Sequence, residues 1–308
     1  MNRTRIILAL TVIAIVLCGC GCCRGWYMEQ VPLDYMWTNV FIPDNVAALR
    51  KLADDGLPLN NIYDGKGNSP DVRSRVGMPL LAAALQHNAT NCAAFLLDRK
   101  VDVSKKCANG STVLMFCVSL PGEAALIWSE NLAGLCPPSY CDMTNHWGYN
   151  PLSSAIRRDR SELIEFYLSR GADVNRKQIE PRQVEPCPYP FYALDKSIET
   201  FNLIMTNQNT VVRGLKYRGD SLITGLSPEL EDYEMRVKCL LGRLVDINDA
   251  DSNVLIKNME SLGDCGDRVK WLCGVGVSGK KKNEALGYAK QHGLAECAKV
   301  LSVCIGSI

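Results

Sequence analysis

Histidine is nearly missing from this chain, with three residues in 308. His87, His146 and His292 stand far apart, and no local signature pairs any of them with a nucleophile. Aromatic residues make up only 7%, and no stretch interleaves them with a basic stripe. Neither sign of charge prevails: 34 Lys and Arg face 33 Asp and Glu, a formal net charge of +1. That balance gives no electrostatic reason to expect a polyanion such as nucleic acid as partner. What is plentiful is apolar: 47% of the residues, enough to bury a sizeable core in one large domain or two ordinary ones.

The chain begins MNRTRIILALTVIAIVLCGCGCC, with Arg3 and Arg5 ahead of an apolar run at 6–17. This is the build of a secretory signal. A spanning helix needs about 20 apolar residues, and the run stops short at Gly and Cys. Leu17, Gly19 and Cys20 in "LCGC" resemble the lipobox of bacterial lipoproteins. The resemblance implies acylation of Cys20, with residues 1–19 as signal peptide, 20–36 as tether, and the protein held at the periplasmic side of the bacterial envelope, at the outer membrane. Cys18 departs from the usual small or β-branched residue and competes as acceptor. A signal anchor in the inner membrane and plain secretion are the alternatives.

Fifteen cysteines are many for an exported chain. Cys92, Cys117, Cys239, Cys273, Cys297 and Cys304 fall at helical spacing among Leu, Val and Ala and read as small buried side chains. Cys107, Cys136, Cys141, Cys187 and Cys265 lie in loop-like sequence and could bridge in an oxidising compartment. Cys136, Cys141 and His146 faintly suggest a metal site, but no fourth ligand or second pair stands at ligand spacing. No metal and no cofactor is expected.

The most informative stretch is GYNPLSSAIRRDRSELIEFYLSRGADVN, residues 148–175. Asn150 can cap a helix and Pro151 suits its first turn. Leu152, Ala155 and Ile156 mark one apolar stripe, "RDRS" breaks it, and residues 163–168 carry a second before Gly171 ends the helix. Neither helix is long enough to stand alone. The same grammar recurs at 44–60, 78–104 (with Lys100 at the terminating position), 110–118, 189–207, 233–248 (with Leu244 at that position), 267–278 (with Gly276 there) and 283–301.

These segments resemble ankyrin repeats, with Asn150 and Ser153 in place of the family's Thr and His. The resemblance implies an all-α solenoid of stacked helix-turn-helix pairs over residues 37–303, about seven degenerate repeats, clearest at 147–176. Insertions are expected near 61–75, 119–146 and 176–188, and a short tail at 304–308. It also implies a concave face that binds another protein. Carried over position by position, that face holds Trp147, Tyr149, Ser154, Arg157 and Arg158, with Gln86 in an earlier copy and Tyr288 and Gln291 in the last. The expected role is a non-enzymatic interaction module with an unidentified protein partner, without nucleic acid or small-molecule substrate. The competing role is an envelope enzyme or ligand-binding protein with its site at 119–146.

One motif invites nucleotide chemistry. "GVGVSGKK" at 274–281 matches the glycine and lysine spacing of a phosphate-binding loop. Lys281 stands where a hydroxyl must hold magnesium, and "RVKWLC" before it reads as a helix instead of a strand. The stretch therefore reads as an inter-repeat turn, with Lys280 to Lys282 solvated.

Overall fold

The computed structural model describes residues 36–60, 62–63, 77–178, 185–218, 220–243, 245–248 and 253–306. The signal, Cys18, Cys20 and the tether up to residue 35 lie outside them. The chain divides into two compact units, one ending at His146 and the other starting at Trp147.

In the first unit a π-helical turn, Trp37–Phe41, precedes α1 (Val46–Asp54). Asn45 starts α1 by accepting a hydrogen bond from the Ala48 N–H at 3.0 Å. Strands β1 (Ile62–Tyr63) and β2 (Met78–Pro79) pair antiparallel, Ile62 opposite Pro79. Next come α2 (Leu80–Gln86), α3 (Thr90–Asp98), α4 (Val113–Cys117) and α5 (Ala124–Leu135). Residues 80–85 of α2 are all buried. A helix this short, apolar all round, survives only between neighbours that cover each side. Accordingly α2 packs on both α3 and α4, and α1 packs on α3.

The second unit opens with α6 (Pro151–Arg157) and α7 (Ser161–Ser169), followed by the antiparallel ribbon β3 (Lys177–Gln178) with β4 (Cys187–Pro188). Helices α8 (Tyr189–Tyr192) and α9 (Ile198–Met205) lead to a second ribbon, β5 (Lys216–Tyr217) with β6 (Asp220–Ser221). Helices α10 (Tyr233–Gly242), α11 (Val254–Leu262), α12 (Gly266–Gly274), α13 (Gly279–Gln291) and α14 (Ala295–Gly306) complete it. First helices stack on first helices, α6 on α8 and α11 on α13. Second helices stack on second helices, α7 on α9, α9 on α10 and α12 on α14. Tyr167, Leu163, Ile164, Phe201, Ile204 and Leu272 fill the seams, each with no exposed surface. At about 1.5–3 kcal/mol for each large apolar side chain, these seams hold the pairs together.

The breaks between paired helices carry left-handed residues that tolerate the conformation: Asn88 (φ 57°) between α2 and α3, and Asp159 (φ 55°) between α6 and α7. Lys100, in the terminating position that Gly171 fills elsewhere, takes the same strained backbone (φ 55°).

Three expectations change. The stretch 119–146, expected as an insertion with no second helix placed in it, contains α5, with Ala125, Ser129, Leu132 and Ala133 buried. Its stripe is hard to read because Ile127 and Leu135 are apolar yet 51% and 59% exposed. Lys280 to Lys282 are not a turn but the first turn of α13, capped by Ser278, and Lys282 is buried. The tail set apart from residue 304 continues α14 as far as Gly306, since no breaker precedes that glycine. Among the described residues no helix is long and apolar enough to cross a membrane.

Candidate protein-interaction surface

Asn150 and Ser153 lock the start of α6 reciprocally. Asn150 Oδ1 accepts from the Ser153 N–H at 2.8 Å, and the Asn150 N–H donates to Ser153 Oγ at 3.1 Å. The turn ahead of the helix is thereby fixed. Gly148 (φ 79°) lies so close to β3 that an added Cβ would stand 2.5 Å from the Lys177 carbonyl oxygen. The Tyr189 hydroxyl donates to the Gly148 carbonyl at 2.6 Å. The backbone that carries Trp147 and Tyr149 is thus fixed at Gly148 against β3 and α8.

Trp147 is 38% exposed. Tyr149 is half-buried, and the Arg157 guanidinium lies over its ring at 5.1 Å. Arg158 is exposed at the end of α6. Ser154 turns back on its own helix, its hydroxyl donating to the Asn150 carbonyl at 3.0 Å. Of the expected surface residues, Trp147, Arg157 and Arg158 are exposed and Tyr149 is half-buried beneath the Arg157 guanidinium, whereas the Ser154 hydroxyl is engaged within the helix. Gln86 is exposed at the end of α2 in the other unit. Tyr288 and Gln291 lie on α13, where the Tyr288 ring stacks on His292 with centroids 4.2 Å apart.

Beside this cluster stand residues that the repeat pattern missed. Phe191 of α8 meets Tyr217 of β5 edge-on at 5.6 Å, and the Arg218 guanidinium lies over Tyr217 at 5.1 Å. Arg176, Lys177, Arg213, Lys216 and Arg218 are exposed on and around the two ribbons. Strands of two residues are too short for alternation to betray them. At the root of the first ribbon, Gln178 has no exposed surface, and neither of its amide atoms has a hydrogen-bond partner among the described residues.

Other clusters have a local explanation. Among the described residues Cys107, Cys136 and Cys265 are free thiols. Burial pushes Cys107 up to about 12 and Cys136 up to about 11, the reverse of what a nucleophile needs. Among the described residues no group of three or more His, Cys, Asp or Glu side chains is placed to hold a metal ion. His146 lies against Gly110, apart from any such group. The stretch 274–281 closes α12 and opens α13, so a helix precedes it as expected. An open cleft of about 690 Å³ is lined by Arg213, Gly214, Asp246, Asn248 and Gly276 among others. Two of its polar groups are already engaged: Asp246 accepts from the Asn248 N–H at 2.8 Å within its own turn, and Asn248 accepts from the Ser278 N–H at 2.8 Å, joining that turn to the next.

Paired helices, stacked first on first and second on second, with short ribbons between the pairs, define the ankyrin-repeat class of fold. The family model described as ankyrin repeat matches residues 147–176. The crystal structure of the ankyrin repeat domain of Bcl-3, described as a unique member of the IkappaB protein family, is similar at a TM-score of 0.50 and 15% identity. That similarity covers 74% of this chain and 93% of the other. At such identity it speaks for the fold alone. No curated protein matches the sequence.

Proposed function

We propose that this protein is a non-enzymatic interaction module, tethered to the bacterial envelope through an acyl group on Cys20, that presents the outer ends of its helix pairs to a protein partner. The observation that carries this reading is an exposed indole, Trp147, on the turn that also holds Tyr149, whose ring lies under the Arg157 guanidinium at the end of α6. Rigid aromatics and arginines are the residues that dominate binding at protein interfaces. The ankyrin-type scaffold, typical of protein–protein interaction, supports the same reading. Ser154, Arg158, Tyr288 and Gln291 complete the proposed surface of the second unit, and Gln86 is proposed as a contact residue of the first. The tether rests on the basic start, the apolar run and the "LCGC" segment of the sequence.

A photocrosslinking residue at position 147, introduced into the full chain in native membranes, tests the module. One protein partner is expected to crosslink, and the crosslink is expected to vanish on Arg157→Glu with Tyr149→Ala. A crosslink indifferent to both substitutions, or none at all, overturns the reading.

A further inference from the structure

The near-zero net charge of the whole chain conceals a local imbalance. Around α6 and the two ribbons of the second unit, seven cationic residues are exposed: Arg157, Arg158, Arg176, Lys177, Arg213, Lys216 and Arg218. Four carboxylates stand in or beside these segments among the described residues, Asp159, Asp173, Glu185 and Asp220, and Asp159 is engaged by Ser197. Asp220 is neutralised by Lys257, whose Nζ lies 2.7 Å from it. The elements bearing these cations are physically joined. Gly148 abuts Lys177 and Gln178, Tyr189 binds the Gly148 carbonyl, and Phe191 packs on Tyr217 beneath Arg218. Lys196 of the following turn reaches the Arg157 carbonyl at 3.1 Å.

We infer that this surface of the second unit takes an extended acidic polypeptide segment whose carboxylates alternate with apolar or aromatic side chains. The inference rests on the interaction-module reading and names the chemistry of its partner. Guanidinium groups supply most of the charge, and their planar forks match carboxylates in two-point contacts. Exposed Trp147 and half-exposed Tyr149, Phe191 and Tyr217 lie on the same segments, two of them stacked under Arg157 and Arg218, and offer apolar area to the residues between the carboxylates. A uniform polyanion gains less, because aromatic rings interrupt the charge and the protein's wider field is close to neutral. Opposed charges steer encounter and fix the partner's register, so binding weakens as salt screens them.

Fluorescence anisotropy on the acylated or detergent-solubilised full chain tests this with a fluorescein-labelled Glu-Tyr-Glu-Leu repeat peptide. Its Lys-Tyr-Lys-Leu counterpart, a single-stranded oligonucleotide and phosphatidylglycerol vesicles serve as competitors. The Glu peptide is expected to bind best and to weaken with salt. Arg158→Glu, Lys177→Glu and Arg213→Glu together should cost it tenfold or more, while the Lys peptide gains, with the melting curve unchanged. Absent or salt-insensitive binding of the Glu peptide, indifference to the charge reversal, or tighter binding of oligonucleotide or vesicles overturns the inference. Should the triple variant melt early, the wild-type salt titration and the ranking of competitors decide alone. A partner crosslinked at position 147 through a segment that is not acidic removes this inference and leaves the module intact. Loss of all crosslinking removes the module itself.

Discussion

Asp159 grips the start of α9 through Ser197: its two carboxylate oxygens accept the Ser197 N–H at 3.1 and 2.9 Å, and Oδ1 accepts the hydroxyl at 2.7 Å. Asp44 does the same for α3 through the Asn91 and Cys92 N–H groups, at 3.0 and 2.8 Å. Asp264 does it for α14 through Glu296 and Cys297, again at 3.0 and 2.8 Å. In each case a carboxylate at the break of one helix pair satisfies the open N–H groups of the second helix of the next pair. Neighbouring pairs are therefore coupled by directed hydrogen bonds as well as by apolar contact.

Asp159→Ala is expected to destabilise the second unit by about 1 kcal/mol, the scale of a lost helix cap. Asp159→Asn should retain part of the bond. Burial pushes the Asp159 carboxyl upward, but its hydrogen bonds and the Lys196 charge prevail and hold it below its ordinary value. A depressed folded-state value contributes stability that is present above the unfolded value, about 3.9, and lost as pH falls through the folded one. Urea midpoints measured between about pH 5 and pH 2 should fall further for wild type than for Asp159→Asn. Equal acid sensitivity would contradict the role of this carboxylate.

Arg236 of α10 is only 2% exposed and is paired with Asp232 at 2.6 Å. It also donates to the Leu194 and Lys196 carbonyls at 3.0 and 2.7 Å, and lies 4.8 Å over the Phe201 ring. Arg236→Ala leaves these acceptors unmet, and a loss of about 3 kcal/mol is expected. Arg236→Lys cannot reproduce the fork and should recover only a fraction. Urea denaturation followed by circular dichroism reads both; an unchanged midpoint for Arg236→Ala would remove the staple.

Gly148 and Gly171 share a left-handed backbone but differ in their surroundings. At Gly171 (φ 83°) an added Cβ meets nothing within 4 Å, whereas at Gly148 it meets the Lys177 carbonyl oxygen at 2.5 Å. Gly171→Ala is expected to cost about 1 kcal/mol in backbone strain alone. Gly148→Ala adds a clash, so about 2 kcal/mol or more is expected. Thermal melts of equal loss at the two sites would contradict the close approach to β3.

Thiol reactivity should follow burial. Cys92, Cys107 and Cys297 are buried, and burial, helped by Asp44 at Cys92 and Asp264 at Cys297, pushes each up to about 12. Cys304 is partly exposed. Brief iodoacetamide treatment of native protein, followed by mass mapping, should label Cys304 well before these three. Labelling of all four at one rate, or recovery of Cys107, Cys136 or Cys265 in a bridge, would contradict the arrangement.

Acylation is the expected fate of Cys20. Cys20→Ser should abolish labelling by an alkynyl fatty-acid probe and leave a longer precursor on gels. Labelling that persists would exclude Cys20 as the acceptor.

Residues 148–175 were legible because their signals are local. Asn150 and Pro151 open a helix, "RDRS" interrupts it, and Gly171 stops the next; each acts within a turn of its own position. The terminating position at Lys100 was equally readable, since the surrounding pattern outweighed an ill-suited residue. Helix α5 was not legible, because Ile127 and Leu135 blur the stripe that Ala125, Leu132 and Ala133 form on its buried side. Of the candidate surface, Trp147, Tyr149, Arg157 and Arg158 could be named from one well-matched repeat. The ribbon cations could not, because no period marks them.

The sequence by itself determined the unit: a pair of short helices, each with too much apolar surface to persist alone, written several times in degenerate form. Caps, breaks and stripes are properties of neighbouring residues and need no fold to be read. Only the tertiary structure decided how the units join and what they show. The grip of Asp159 on Ser197 links residues whose separation along the chain carries no signal, and the gathering of Arg158, Lys177, Arg213 and Arg218 on one unit is invisible in a net charge of +1. Charge and hydrogen bonding act through space, so their pattern exists only once the chain has brought those residues together.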